Sequence, residues 1–326
     1  MSQLRVGVLG ASGETGGSIT NALIDANKFS IVALARPSSI SKPVYQQFQQ
    51  RGVELREIEL PGAAEGLVEA LSGLDVVISA ISAWSLQLQI DLADAAKRAG
   101  VKRFVPCSFM TVMPPGGRAL LRDEKEKVFN HIKKIYLPYT VIDVGYWYQI
   151  SLPSLESRKI DGSLAFPTAF YGSGNVKSVI TDLRDVGKYV AMIIDDERTL
   201  NKYVLAYNIE VTQNEVFNKL EELSGEKADR KIVTEEQMFE NQKRATEEYE
   251  AKPAEMSRMI KKFSSDYSLS MHYYGDNQPE YAKYLGYLTS KELYPDYEYI
   301  PLERYIQEVL AGTAAAVYSD NAAISG

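Results

Sequence analysis

The chain is nearly without cysteine. Its one thiol, Cys107, cannot form an intramolecular disulfide and fits a reducing compartment. Histidine is almost as scarce, with only His131 and His272. Two histidines and one cysteine cannot build the usual nitrogen–sulfur zinc site, so no metal is expected. Neither histidine stands in a motif that would make a serine hydrolase. No apolar run approaches the roughly 18 residues of a membrane helix, and no membrane span is expected. The opening residues, Met1 to Arg5, show no charged start, apolar stretch or cleavage site of a secretory leader. A soluble, cytoplasmic protein is the expectation. A basic stripe is missing as well. Net charge is −7, and the lysines cluster only briefly, as at Lys125, Lys127, Lys133 and Lys134. Nucleic acid is therefore not an expected partner.

What remains is ordinary globular composition, 45% hydrophobic and 24% charged over 326 residues. That suffices for one large domain or two unequal ones. Residues 4–10 read as a buried strand, and a helix follows from Thr15 to Asn27 with Ile19, Leu23 and Ala26 on one face. Runs at 31–35, 75–82, 103–108 and 139–144, and an alternating stretch at 53–60, are expected as further strands. Helical patterns at 43–51, 64–72, 87–99 and 120–135 separate them, and Gly100 closes the fourth helix. Near-continuous apolar strands alternating with amphipathic helices predict an α/β fold, a doubly wound parallel Rossmann sheet over residues 1–150.

The pattern then changes. Residues 150–175 are loop-rich, with Pro153, Gly162, Pro167, Gly172 and Gly174. Asp185 is expected as the N-cap of a helix carrying Val186, Val190, Ile193 and Ile194. Thr212 and Glu215 have capping-box spacing ahead of Val216, Leu220 and Leu223. Residues 234–265 are charged and helical with a break at Pro253, and 267–300 are rich in tyrosine. Residues 151–326 are expected to form a smaller, mostly helical substrate-binding domain, with 176–206 packing back on the sheet. The tail beyond Tyr318 is expected to be disordered.

Residues 10–16, Gly-Ala-Ser-Gly-Glu-Thr-Gly, lie between the first strand and the first helix. In that context Gly10 lets the chain turn off the strand, Gly13 lets backbone approach a pyrophosphate, and Gly16 lets the helix pack on the sheet. The helix N-terminus supplies unpaired N–H groups and a positive dipole end. Ser12 and Thr15 add hydroxyls. At the end of the second strand an acidic residue would accept from a ribose 2′-hydroxyl, whereas an arginine accommodates a 2′-phosphate. The chain has Arg36 there, with Lys42 close behind, so the expected cofactor is NADP(H).

The Tyr-x-x-x-Lys pair of the commonest dehydrogenases on such a sheet is not found in the strand–helix half of the chain, so another group must move the proton. The run Glu124-Lys125-Glu126-Lys127-Val128, followed by Leu137-Pro138-Tyr139-Thr140, resembles the NmrA-like family, in particular its isoflavone reductase-like members. The stretches 103–108 (Arg-Phe-Val-Pro-Cys-Ser), 185–189 (Asp-Val-Gly-Lys-Tyr) and 195–202 (Asp-Asp-Glu-Arg-Thr-Leu-Asn-Lys) carry the same likeness, as do the glycine loop and 33–36. It extends over residues 4 to about 225.

The resemblance implies an NADPH-dependent oxidoreductase, of secondary metabolism in the family's pattern, with Lys125 as general acid/base beside the nicotinamide. It implies a cofactor set of Gly10, Ser12, Gly13, Thr15, Gly16, Arg36, Lys42, Ser79, Ala80, Ser108, Lys125, Tyr146 and Trp147. Where the reductases have Ser-Glu-Phe-Gly after the fifth strand, this chain has Cys107-Ser108-Phe109-Met110. Tyr146, Trp147 and Tyr148 follow the sixth strand at the edge where ligands sit in this fold, which points to a flat or aromatic small-molecule substrate. The readings carried forward are reduction of such a substrate and a redox-neutral isomerisation or cyclisation using the same cofactor. A third is a non-catalytic NADP-sensing regulator. A monomer or homodimer is expected.

Overall fold

A computed structural model describes residues 3–318. The tail expected to be disordered lies outside them. The described part forms two compact units interleaved in sequence. One holds residues up to 109 with 124–143 and 183–206; the other holds 110–123, 144–182 and the chain from 207 onward. The second takes the larger share of the chain, because two returns of the backbone, 110–123 and 144–182, join it.

The first unit follows the alternation of the sequence. Its elements are β1 (Leu4–Leu9), α1 (Glu14–Ala26), β2 (Phe29–Ala35), α2 (Pro43–Gln50), β3 (Glu54–Glu57), α3 (Ala64–Leu71), β4 (Val76–Ser79), α4 (Gln89–Arg98), β5 (Arg103–Val105), α5 (Leu120–Lys134) and β6 (Thr140–Asp143). Five strands lie in the order β3-β2-β1-β4-β5, all parallel, with Val6 of β1 opposite Ile31 and Val76. Beyond β5 the Phe104 amide donates to Pro138 O at 2.8 Å, and the strand Lys202–Leu205 runs parallel to β6. The apolar strands are covered on both faces, and Val32, Leu71, Val77, Phe104 and Val141 share one core.

Helix ends obey local chemistry. Pro43 opens α2, and Asn27 closes α1 in the left-handed region. α6 (Leu183–Ile193) starts three residues earlier than the sequence implies, so Asp185 is inside its first turn and not its cap. An acid is favourable at either position, since both face the positive dipole end, and the sequence does not separate them. α6 packs on α1 through Ser18, whose hydroxyl donates to Leu183 O at 2.6 Å and accepts from Gly187 N at 3.0 Å.

The second unit is built from short strands and helices. Lys177–Thr181 pairs with Tyr146–Trp147 on one side and Ile209–Thr212 on the other, and Phe170–Tyr171 pairs with Ile232–Val233. Thr212 and Glu215 form the expected capping box on helix Gln213–Ser224. Helices Glu235–Ala251 and Met256–Leu269 pack together with the break at Pro253 between them. The core gathers Tyr148, Leu155, Phe217, Leu220, Tyr305 and Val309. No helix among the described residues is long and apolar enough to cross a membrane.

Candidate functional site

Parallel strands end at one edge, so the residues just past β1, β2, β4, β5 and β6 gather there. The three glycines of the first loop differ in why they are glycine. At Gly10, where φ is +84°, a Cβ would sit 2.4 Å from Ala80 O; at Gly16 it would sit 2.1 Å from Gly10 O. Both are excluded by the protein's own backbone. At Gly13 the nearest atom would be Gly10 O at 3.5 Å, an ordinary contact, and the backbone there is extended at φ −88°. Neither sterics nor dihedral demands glycine at 13. Gly13 gives α1 no side-chain cap, and a helix N-terminus is an end that favours an anion. Ser12 and Thr15 are half-buried beside them.

Arg36 is the first residue past β2 and is exposed. Its carbonyl accepts from Ser39 N and Ile40 N at 2.9 and 3.0 Å, which turns the chain back toward α2. Lys42 is exposed one residue before α2. Ser79 ends β4 fully buried, with no hydrogen-bond partner for its hydroxyl among the described residues, and Ala80 N bonds Leu9 O at 2.8 Å. These groups can hold a dinucleotide: a loop open at Gly13, a helix N-terminus with no side-chain cap, a cation past β2 and an orphan hydroxyl past β4.

The turn after β5 holds the candidate acid/base. Lys125 is only 4% exposed although it is an ammonium on a helix rich in charge. Its Nζ donates to Cys107 O at 3.0 Å and to Ser108 O at 2.5 Å, and lies 4.0 Å from Cys107 Sγ. The turn is fixed from several sides. Cys107 N donates to buried Gln89 Oε1 at 2.7 Å, Cys107 Sγ donates to Ile81 O at 3.1 Å, and the Ser108 hydroxyl donates to Asp143 at the end of β6. Phe109, beside them, has φ +43°, a conformation side chains rarely take, and donates its amide to Ile142 O at 2.8 Å. Asp143 and Gln89 escaped the sequence reading. Asp143 ends an apolar strand and Gln89 opens an ordinary helix, and neither spacing marks a site.

The expected aromatic pair lies in the second unit and divides. Trp147 is buried and stacks on Tyr318 with ring centroids 6.0 Å apart. Tyr146 instead lines a cavity of about 410 Å³ in that unit. Tyr171 and His272 also line it, stacked at 4.5 Å and 6°. Burial raises the Tyr146 phenol above its usual value and lowers His272 to about 4. His272 is assigned no site role in sequence because it belongs to no motif. One tyrosine–lysine pair of dehydrogenase spacing does occur, Tyr287 and Lys291 in the second unit. It is otherwise engaged: Arg122 donates to the Tyr287 hydroxyl at 3.0 Å, and Lys291 Nζ lies 3.9 Å from the Tyr299 ring centre.

Comparison with known proteins gives a consistent picture. The model of the NmrA-like family matches residues 2–306. Asnovolin J 5',6'-dehydrogenase of Aspergillus novofumigatus is 43% identical over 316 residues, which is 95% of this chain and 96% of that protein. A solved structure from a study of pinoresinol-lariciresinol and phenylcoumaran benzylic ether reductases is 26% identical, with TM-score 0.77, covering 95% of this chain and all of that one. The complex of leucoanthocyanidin reductase with NADPH from Vitis vinifera has TM-score 0.78 at 23% identity, covering 94% and 99%.

Proposed function

The chain belongs to the NmrA-like family, and on that premise we propose that it is an NADPH-dependent reductase acting on an aromatic or conjugated small molecule. It is an oxidoreductase of the isoflavone reductase-like kind. The observation that carries the finer reading is the placement of Lys125 Nζ, buried and aimed at the turn past β5, on the sheet edge that also carries the glycine loop.

In this reading the α1 amides and Ser12 and Thr15 bind the pyrophosphate, with Gly13 admitting its close approach. Arg36, assisted by Lys42, holds the 2′-phosphate by a charge-assisted fork. Ser79, Ala80 and Ser108 border the nicotinamide. Bound NADPH supplies the hydride. Lys125 Nζ moves the proton, and the Cys107 and Ser108 carbonyls aim it. The second unit receives the substrate in the cavity walled by Tyr146. A buried lysine aimed at this edge favours catalysis over a purely sensing role.

The test is single-turnover loss of NADPH absorbance with a panel of conjugated ketones and imines, for the wild type and Lys125→Ala. Turnover by the wild type and not by the variant supports the reading. Normal turnover by Lys125→Ala overturns it. Conversion of the substrate without loss of NADPH assigns the redox-neutral isomerisation.

A further inference from the structure

Among the described residues, no aspartate, glutamate, lysine or arginine lines the cavity walled by Tyr146. Its ionisable groups are tyrosines and His272, and burial keeps Tyr146 and His272 in their neutral forms near pH 7. A charged ligand group entering would lose its water and meet no counter-charge, which is strongly unfavourable. Much of the wall is hydrocarbon, from residues such as Leu121, Ile180, Val216 and Phe263.

The polar groups divide into occupied and free. Ser151 and Ser268 donate back to Trp147 O and Ser264 O at 2.5 and 2.9 Å, and the Gln213 amide is spent on Ala169 O and Tyr171 N. The Tyr146 hydroxyl, the Tyr171 hydroxyl and the His272 ring nitrogens make no hydrogen bond among the described residues. They lie together: Tyr171 is stacked on His272 and stands close enough to act electrostatically on Tyr146. Two phenols and a neutral imidazole can donate to a carbonyl or exchange hydrogen bonds with a hydroxyl.

We infer that this cavity, taken as the substrate site proposed above, receives an uncharged and largely hydrocarbon ring system bearing a carbonyl or hydroxyl oxygen at one end. Tyr146, Tyr171 and His272 hold that oxygen. The rest of the ligand is read by shape alone, and ionised analogues are rejected.

Calorimetric titration of the NADP+-loaded full-length protein tests this with two probes of one shape, 4-androstene-3,17-dione and 3-oxo-4-androstene-17β-carboxylate. The neutral diketone is expected to bind about tenfold or more tightly than the carboxylate. Tyr171→Phe, which keeps the ring stack, and His272→Leu should each weaken the diketone by roughly threefold to tenfold. Val211→Trp, which fills the cavity, should abolish binding. The inference is overturned if the carboxylate binds as well as the diketone or if the diketone does not bind. It is overturned equally if Tyr171→Phe and His272→Leu both leave binding unchanged, or if Val211→Trp does. Selective binding of the diketone by a protein that oxidises NADPH with no ketone would leave the inference standing and sink the reductase reading.

Discussion

Lys125 and Asp143 are joined through one residue, Ser108, whose carbonyl accepts from the lysine Nζ and whose hydroxyl donates to the carboxylate. The lysine's aim is thus tied to β6 as well as to its own helix. Lys125→Ala is expected to lower turnover by about 10²–10⁴-fold, the usual weight of a positioned proton donor. Calorimetry should show NADPH affinity largely kept. Lys125→Arg should not restore turnover, because a guanidinium keeps its proton.

Ser108→Ala removes a hydrogen bond between two buried groups. The expected loss of stability is about 1–3 kcal/mol, read from the urea midpoint at unchanged slope. Turnover should fall beyond what the remaining folded fraction explains, because the Lys125 acceptor is carried on the same residue. A turnover that merely follows the folded fraction would make Ser108 structural only.

The glycine loop separates folding from binding. Gly16→Ala must displace the Gly10 carbonyl, 2.1 Å from the new Cβ, and should lower the melting temperature. Gly13→Ala meets only an ordinary contact. It should melt within a degree or so of the wild type, as surface changes away from special features do, yet bind NADPH more weakly. Equal affinity for Gly13→Ala and wild type would remove the loop from the cofactor site.

Arg36 is exposed, so Arg36→Glu should leave stability nearly unchanged. NADPH affinity should fall more than NADH affinity, because only NADPH offers a 2′-phosphate for the new carboxylate to repel. Equal losses for both nucleotides would refute the phosphate role.

His272 gives a pH signature. Its folded pKa is about 4 against an ordinary 6.5, lowered by burial. Above 6.5 the ring is neutral in both states and contributes no pH dependence. As pH falls from 6.5 toward 4, the unfolded chain takes up a proton that the folded protein does not, and stability declines; below 4 the loss is complete. His272→Leu removes this component. Asp276, whose carboxyl burial raises, titrates in both proteins, so the difference between their melting curves isolates the histidine. A difference that stays flat through that window would mean His272 is as hydrated in the fold as outside it.

The strand–helix ladder was legible because its central strands are apolar on both faces, its edge strand β3 alternates, and its helices keep a 3.6-residue period. The capping box at Thr212 and the break at Pro253 were legible because each is local chemistry. The interleaving of the units was not, since residues 110–123 and 144–182 carry no composition that tells which core they join. Nor could sequence separate Tyr146 from its neighbour: adjacent residues in a strand point to opposite sides, which sends Trp147 to Tyr318 and Tyr146 to the cavity. Asp143 and His272 take their meaning from partners 35 and 101 residues away, Ser108 and Tyr171, and no spacing rule reaches that far.

The strand that pairs with β6 arrives late, at Lys202–Leu205, after the chain has left the sheet and returned. On the ribosome the nucleotide-binding half therefore emerges with β6 unpaired along that side, its Val141 and Ile142 ready to template another strand. The growing chain stays exposed to that hazard until some sixty further residues are made. A fragment ending near residue 150 would keep the whole glycine loop and Lys125 and still be a poor protein, because its sheet would have an open, sticky margin.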